Sequence, residues 1–413
     1  MSHINYLLYI SQFNKFLNII RNKIPNVPNL RFSTFTEEWQ QYPLEKIAYF
    51  YKGTGISKDQ LSEDGNECIL YGELYTKYKT ETITEIKSRT NISTKGLFFG
   101  KTNDVIIPAS GETPVDIATA CCVTKDDILF GGDLNIIRLH SDNGSFISYQ
   151  LNGKRKYDIA RIAQGASIVH LHNDDLKKLI IYKPNSLIEQ EIVVEVFTKL
   201  DKRIELQSKI IDNLESLIKG IRYIIFSGNH SLYNETYTSK LGNFLDEYTQ
   251  KNINNNLRSA SVGKYGIRMR DEIYSKDLTN DYSKNKVIYK DTLSIGMGST
   301  QIDIGILLED NIYCISPAYT TYKIQGINSF YLNEYLIYLN PLLSKRYMVI
   351  GARQGKSVNK SELMVHEMEL HSVIQQLEIV KIFSSIYTKL KKEKDILSLY
   401  KKQKAYLLQN MFI

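Results

Sequence analysis

The chain has little of what would signal a compartment or a reaction centre. Its four cysteines are Cys68, the adjacent Cys121 and Cys122, and Cys314. None forms a C-x-x-C pair, and no nearby cysteine and histidine spacing suits zinc. Neither a disulfide framework nor a zinc module is therefore expected, and a reducing cytoplasm is the simplest setting. No apolar run approaches the roughly 18 residues of a membrane span, so no transmembrane helix is expected. Residues 4–20 are apolar-rich, but Gln12, Asn14, Lys15 and Asn18 interrupt them, with no basic segment before and no small-residue cleavage site after. They read as an amphipathic helix or an upstream start, not a signal peptide. Proline is scarce at 8 residues and tryptophan occurs once, beside 29 tyrosines. Tyrosine, lysine, asparagine and isoleucine are abundant together, as the codons of an AT-rich genome would make them. Neither sign of charge dominates, with 52 Lys and Arg against 45 Asp and Glu: the net +7 permits an anionic partner such as nucleic acid without demanding one.

What is present is mass and repetition. The 413 residues, 43% of them hydrophobic and 23% charged, suffice for two or three globular domains. Residues 187–226 align with 373–412 at a shift of 186, so that Gln190 meets Gln376, Val194 meets Val380, Phe197 meets Phe383, Ile210 meets Ile396 and Phe226 meets Phe412. Upstream, Gln164-Gly165-Ala166-Ser167 matches Gln354-Gly355-Lys356-Ser357 at a shift of 190. Two units of roughly 190 residues thus share an ending. In each ending, apolar residues recur mainly at three and four positions: Val193, Val196, Leu200, Ile204, Ile211, Leu214 and Ile218 in one, Ile379, Phe383, Ile386, Leu390, Leu397 and Leu407 in the other. Proline is absent from both, and glycine is absent until Gly220. This predicts two helices of some 38 residues, roughly 57 Å long, most simply buried against each other as an antiparallel coiled coil. The lysines at 389, 391, 392, 394, 401, 402 and 404 are expected on the wet face of the last helix.

The segments before each helix carry short strand-like runs punctuated by glycine turns. Cys68–Tyr71, Val105–Ile107, Ile128–Phe130 and Ile136–Leu139 are strand-like in the first, with Gly53-Thr54-Gly55, Gly111, Gly131-Gly132 and Asn143-Gly144 as turns; Lys286–Tyr289, Ile302–Leu308 and Ile312–Ile315 are strand-like in the second. The fold class is α+β: two globular domains, each followed by one long helix, in a pseudo-twofold internal repeat. The expected boundaries are an N-terminal extension over 1–29, a first domain over 30–165, a first helical spacer over 166–228, a second domain over 229–355 and a second spacer over 356–413.

Motifs for chemistry are weak. Gly355-Lys356-Ser357 ends like a phosphate loop, but Ile350 stands where the first glycine belongs. Gly296-Met297-Gly298 lies in a β-rich stretch with no helix after it. No N-P-P-Y or D-P-P-Y tetrapeptide is present, Glu85-Ile86-Lys87 has no Pro-Asp partner, and His170 and His172 alternate as on a strand. Cys121 and Cys122 have no evident histidine and acid beside them. The balance favours a binding protein over an enzyme. Features that suit nucleic acid are more frequent: Tyr71 to Lys79 interleaves Tyr71, Tyr75, Lys77 and Lys79, and Arg258, Lys264, Arg268 and Arg270 surround Ser261–Gly266.

At this point the chain resembles the specificity (S) subunit of type I restriction-modification systems over nearly everything after residue 27. The resemblance rests on Val27-Pro28-Asn29-Leu30-Arg31-Phe32 with Trp39, on Lys52–Lys58, Cys68–Tyr78, Ile107–Thr113 and Gly131–Leu134, and on Leu187-Ile188-Glu189-Gln190 with Leu200-Asp201 and Ile204. In the second half it rests on Ser261–Ile267, Asn285–Ile288, Ser316–Tyr319 and Ala352–Ser357. The second copy departs from the first, with Gln375 for the glutamate and Tyr387 for the aspartate. The resemblance implies two target recognition domains held apart by two antiparallel helices that act as a ruler, each domain reading one half of a split DNA site. It implies a non-catalytic subunit that binds double-stranded DNA and positions two methyltransferase subunits and two restriction subunits. No cofactor is expected on this chain; adenosylmethionine, ATP and magnesium belong to those partners. The expected DNA-binding residues are Lys52, Lys58, Tyr71, Tyr75, Lys77, Lys79, Ser110, Thr113, Arg258, Ser261, Lys264, Tyr265, Arg268, Tyr319 and Arg353. The expected partner-interface residues are Gln190, Leu200, Asp201, Ile204, Gln376, Ile386 and Leu390. The alternatives are a stand-alone nuclease or methyltransferase, and a coiled-coil scaffold without DNA contact.

Overall fold

A computed structural model describes residues 26–78, 80–165, 168–228, 235–263, 266–274, 281–351 and 355–413. The chain has a mixed α+β fold and divides into two compact units. One comprises residues up to Ser208 together with Asp395–Ile413, the other Lys209–Lys394. Two helices, Leu187–Phe226 and Val373–Asn410, each run through both units. Both lack proline, and the one interior glycine, Gly220, has open space where a Cβ would stand.

In the first unit, two five-stranded sheets separate three apolar layers. The first sheet has the order Ala48–Lys52, Leu134–Leu139, Val105–Pro108, Cys121–Val123, Thr82–Ile83. The second has the order Leu61–Ser62, Ser88–Thr90, Asn66–Ile69, Ile128–Phe130, Phe98–Gly100. Alternation along each strand decides which layer a side chain joins. Val105, Ile107, Cys122 and Ile137 face the layer that also holds Trp39, Phe146, Phe197 and Leu407. Ile106, Cys121, Val123 and Ile136 face the layer between the sheets, shared with Ile69, Ile128 and Phe130. Cys68, Leu70 and Leu129 turn outward to a third, smaller cluster with Ile56. The neighbouring Cys121 and Cys122 therefore point to opposite sides of one strand, and all four cysteines are buried and free. The helix Gly144–Asn152, capped by Asn143 accepting from the Phe146 amide, covers the first sheet.

In the second unit, an antiparallel sheet runs Leu245–Tyr248, Thr320–Ile324, Thr292–Met297, Ile302–Ile306. A second sheet runs Gly266–Met269, Ser259–Gly263, Tyr313–Ile315, Lys286–Ile288, with only its central pair parallel. Gly305 faces Gly266 so closely that a Cβ on Gly305 would come within 2.7 Å of the Gly266 Cα, which lets the two sheets meet backbone to backbone. The helix Ser329–Tyr347, capped by Asn328 accepting from the Tyr331 amide, packs its Tyr331, Leu332, Tyr335 and Leu336 inward.

The globular parts extend closer to the long helices than sequence boundaries at 165 and 355 imply. Ile180–Lys183 pairs with Gln40–Pro43, and Val169–His170 pairs with Ser110–Gly111. Glu367–His371 pairs with Thr236–Lys240, and Gly355–Val358 forms a hairpin with Met348–Gly351. Residues 168–186 and 356–372 fall within the expected spacers, and these pairings tie them to the sheets.

Within each unit the two long helices pack antiparallel. In the first, Phe197 stacks on Phe412 at 5.8 Å and Asp201 bonds Lys404 at 2.6 Å. In the second, Glu215 bonds Lys394 at 2.7 Å and Arg222 bonds the Tyr387 hydroxyl at 3.0 Å.

Candidate nucleic-acid interface

In the first unit, the glycine-bearing segments marked by the sequence converge. Gly53 follows the strand Ala48–Lys52, and a Cβ there would come within 1.9 Å of the Gly131 carbonyl oxygen. The Gly53 amide donates to Leu134 O at 2.9 Å and the Thr54 amide to Phe130 O at 2.9 Å. The Ala109 amide donates to Asp133 O at 2.7 Å, and Ser110 Oγ donates to the Asp133 carboxylate at 3.0 Å. Asp133 itself has a φ of 56°, a left-handed turn that asparagine and aspartate tolerate. One loop cluster at the strand ends thus holds Lys52, Ser110 and Asp133. Thr113 caps the short helix Pro114–Ile117 by accepting from the Asp116 amide at 3.1 Å. Lys52, Lys58 and Thr113 are exposed, whereas Ser110 is buried.

The tyrosine and lysine run at 71–79 is different from its sequence reading. Tyr71 packs half-buried against the layer between the sheets, and Tyr78 is buried there. The Tyr78 oxygen accepts from the Lys87 amide, and burial pushes its phenol up to about 12. Lys77 bridges the buried Glu73 and the Ser88 hydroxyl, the latter at 2.7 Å. Tyr75 lines a cleft of about 480 Å³ with Glu81, Lys156 and Lys404. These side chains are largely spent on packing and internal pairing. Lys79 lies outside the described residues.

In the second unit, Ser261 and Arg268 face each other across the hairpin Ser259–Gly263 and Gly266–Met269. Tyr319 lies across this hairpin: its hydroxyl donates to Val262 O at 3.1 Å and to Asp303 at 3.3 Å, and its ring occupies the space a Cβ on Gly296 would need. Burial, with Asp303 beside it, pushes the phenol up to about 12. Arg258 is exposed, but its guanidinium holds Asp271 at 2.6 Å and Glu272 at 2.9 Å, so its charge is matched locally. The hairpin thus gathers Arg258, Ser261, Arg268 and Tyr319; Lys264, Tyr265 and Arg353 lie outside the described residues.

The residues expected to face partners on the helices do not present an outer face. Gln190, Leu200, Asp201, Gln376 and Leu390 are buried, and Ile204 and Ile386 are half-buried. Gln190 donates to Asp142 at 2.9 Å and to Pro184 O at 3.1 Å, while Gln376 donates to His371 O at 2.9 Å. Each glutamine therefore ties the first turn of its helix to the chain just before it, which is why the two meet in the repeat. Heptad spacing marks a buried stripe and does not say whether a partner or the same chain buries it. Lys404 is another departure: expected on the wet face, it is half-buried between Glu81 and Asp201, with Asp201 also accepting from the Tyr149 hydroxyl at 2.7 Å.

Three groupings escaped the sequence reading. Glu189 accepts from Arg31 at 2.7 and 2.8 Å and from the Trp39 indole at 2.9 Å, all buried. Glu334 accepts from Arg222 at 2.6 Å and from the Tyr387 hydroxyl at 3.1 Å. At the edge of the first sheet the exposed Tyr49 meets His140 edge-on at 4.6 Å, and Tyr51 packs on Phe98 at 5.3 Å. Partners distant in sequence carry each of these, and no local spacing signals them.

Burial pushes the Cys68 thiol up to about 11 and the Cys122 thiol up to about 12, and raises Cys121 as well, which leaves each protonated and unreactive at neutral pH. Among the described residues no group of three His, Cys, Asp or Glu side chains could hold a metal ion. Gly355–Val358 is a hairpin strand with Lys356 donating to Ser299 O at 2.7 Å, not the start of a helix as a phosphate loop requires. No helix among the described residues is long and apolar enough to cross a membrane.

No family model matches the sequence, and no curated protein matches it. Solved structures do match. The crystal structure of a type I restriction-modification system S subunit from M. genitalium is similar with a TM-score of 0.57 and 16% identity, over 94% of this chain and 99% of that one. A chain from a type I R-M system, solved to describe complex assembly and conformational transition, is similar with a TM-score of 0.55 and 14% identity, over 90% and 96%. At such identities the likeness establishes the fold, end to end.

Proposed function

We propose that this chain is a DNA-specificity subunit of a type I restriction-modification complex, with one half of a split target read by each globular part. The observation that carries this reading is a duplicated plan. Ala48–Lys52, Leu134–Leu139, Val105–Pro108 and Cys121–Val123 stand in the same order as Leu245–Tyr248, Thr320–Ile324, Thr292–Met297 and Ile302–Ile306. In each unit an asparagine-capped helix follows the second strand of that order, and a short antiparallel pair leads into a long helix. Two related folds on paired helices suit two different half-sites at a fixed spacing. Likeness to an S subunit over 94% of the chain supports the same reading.

Target reading falls to the loop cluster around Lys52, Ser110, Thr113 and Asp133 in one unit and to the hairpin around Ser261 and Arg268 in the other. Hydroxyls, carboxylates and guanidinium groups can address base edges, and lysines the phosphates. The chain itself is a non-catalytic, cytoplasmic binder. Two methyltransferase subunits and two restriction subunits would supply adenosylmethionine, ATP and magnesium chemistry, with the target adenine turned out of the duplex by the methyltransferase. The test is coexpression with a methyltransferase subunit in a methylation-free host, followed by long-read detection of methyladenine. A split motif with an unread gap is expected. Methylation at a continuous motif, or by the methyltransferase subunit without this chain, contradicts the proposal. DNA binding by the assembled complex that does not weaken with salt would favour a scaffold role.

A further inference from the structure

The second unit gathers three lysines at one corner of its fold. The Asn252 amide donates to Asn285 O at 2.9 Å and the Val287 amide to Gln250 O at 2.7 Å, so Lys251 and Lys286 are directly opposed in an antiparallel bridge. In a pair bracketed this way the side chains leave the same face and stand close. Like charges so placed cost stability. Lys286 is half-buried, and its Nζ donates to Tyr319 O at 2.6 Å. Lys360 donates to the hydroxyl of the next residue, Thr320. Burial and the charge of Lys360 hold the Lys286 ammonium below the ordinary lysine value, with Glu247 opposing them. Neither Glu247 nor any other carboxylate among the described residues forms an ion pair with Lys251, Lys286 or Lys360. Lys251 and Lys360 are exposed. Positive charge is thus concentrated without an internal counter-charge, and two of its bearers are fixed by chain oxygens.

The duplicated plan gives this corner a meaning. The lysines stand where the edge strand Leu245–Tyr248 ends and its neighbour Thr320–Ile324 begins. In the first unit, the end of Ala48–Lys52 and the start of Leu134–Leu139 carry the loop cluster of Lys52 and Asp133. A short helix before the last strand takes part in both: Asn173 donates to Tyr51 O at 3.0 Å in one, Lys360 to Thr320 in the other.

We propose that Lys251, Lys286 and Lys360 form a clamp for the phosphate backbone of duplex DNA, seating the second unit while the hairpin around Ser261 and Arg268 addresses the bases. The clamp rests on the reading of this chain as a DNA-specificity subunit. An ammonium has three donors, so Lys286 and Lys360 keep two each after their chain bonds. Tyr319 joins clamp to hairpin, its carbonyl holding Lys286 and its hydroxyl donating to Val262 O. An acidic protein tail would meet the same charge, but that continuity with the hairpin favours a phosphate chain. Contacts of this kind fix position and carry no sequence information.

The test uses the full chain assembled with its methyltransferase subunit, and two duplexes of about thirty base pairs, one carrying the methylated motif and one lacking it, titrated over a range of salt. Lys251→Gln and Lys360→Gln should each weaken binding about fivefold at about 0.15 M salt, equally on both duplexes, and lower the slope of log K against log salt by about 0.9. The methylated motif should not change. Because Lys251→Gln also relieves the opposed charges, the melting temperature of the free chain should hold or rise. Lys345→Gln, at an exposed lysine of the helix Ser329–Tyr347, is the control and should leave the slope level. An unchanged slope, a loss confined to the motif duplex, or a lowered melting temperature would overturn the clamp while the two-reader account stands. Stabilisation by inorganic phosphate that chloride of equal ionic strength does not reproduce, with duplex affinity unmoved by the exchanges, would overturn it in favour of a free anion. A parent complex without salt-dependent duplex binding would sink the specificity reading and the clamp with it.

Discussion

Lys404 sits where the buried Asp201 and the half-buried Glu81 share one ammonium. Burial opposes its charge, but Glu81 and Asp201 hold its pKa above the ordinary lysine value, while burial raises Glu81. Both directions fit a cluster with one negative charge in excess. Lys404→Met strands Glu81 and Asp201, and a loss of about 3–5 kcal/mol is expected in urea unfolding. Glu81→Gln removes the excess charge and should move the midpoint little. His371 gives a second handle at this scale. Burial holds its pKa below the ordinary 6.5, and its Nδ1 lies 2.8 Å from the Tyr331 hydroxyl. A base with a lowered folded pKa contributes stability that is present above about 6.5 and lost as pH falls through the folded value. The melting temperature of the second unit should therefore drop below pH 6.5, and His371→Gln should flatten that slope. Neither residue was legible: a lysine among many on a helix looks wet, and its partners lie at 81 and 201, far along the chain.

Among the elements, the long helices were the most legible, because a 3.6-residue period sustained over 40 residues without proline admits little else. Short strands were legible as apolar runs, though their pairing was not, since partners such as Ala48–Lys52 and Leu134–Leu139 lie far apart. The two departures inside the repeat now have a physical reason in one case. In the first unit the helix after Asn143 carries Tyr149 and the long helix carries Asp201; in the second, the helix after Asn328 carries Glu334 and the long helix carries Tyr387. Phenol and carboxylate have exchanged sides, with Lys404 as the cation in one cluster and Arg222 in the other. Nothing in the structure explains Gln375 in place of the first copy's glutamate. Exchanging Glu334→Tyr together with Tyr387→Glu should recover part of the stability each single change loses; a double-mutant cycle with no positive coupling would contradict the equivalence. Gly220 is exposed with open space around it, so Gly220→Ala should add roughly 0.5–1 kcal/mol to unfolding.

At the scale of the whole molecule, the repeat was the sequence's strongest statement about architecture, and the likeness in fold to a solved S subunit covers 94% of this chain. The geometry of the candidate loops was not legible, because segments such as Gly53 to Lys58 take their shape from Gly131 and Leu134 across the sheet ends. If the helix pair is a ruler, inserting seven residues in each long helix keeps the apolar stripe in phase and lengthens the pair by about 10.5 Å. The unread gap should then grow by about three base pairs at 3.4 Å each, read from the methylated motif. The most direct test of two readers on one chain, as proposed, exchanges residues 44–165 for the matching residues of an S subunit of known target. That leaves Arg31, Trp39 and Gln40–Pro43 on their partners Glu189 and Ile180–Lys183. Methylome sequencing of the exchanged chain with its methyltransferase should show one half-site changed and the other retained. A change in both halves at once, or in neither in an active complex, would contradict the account.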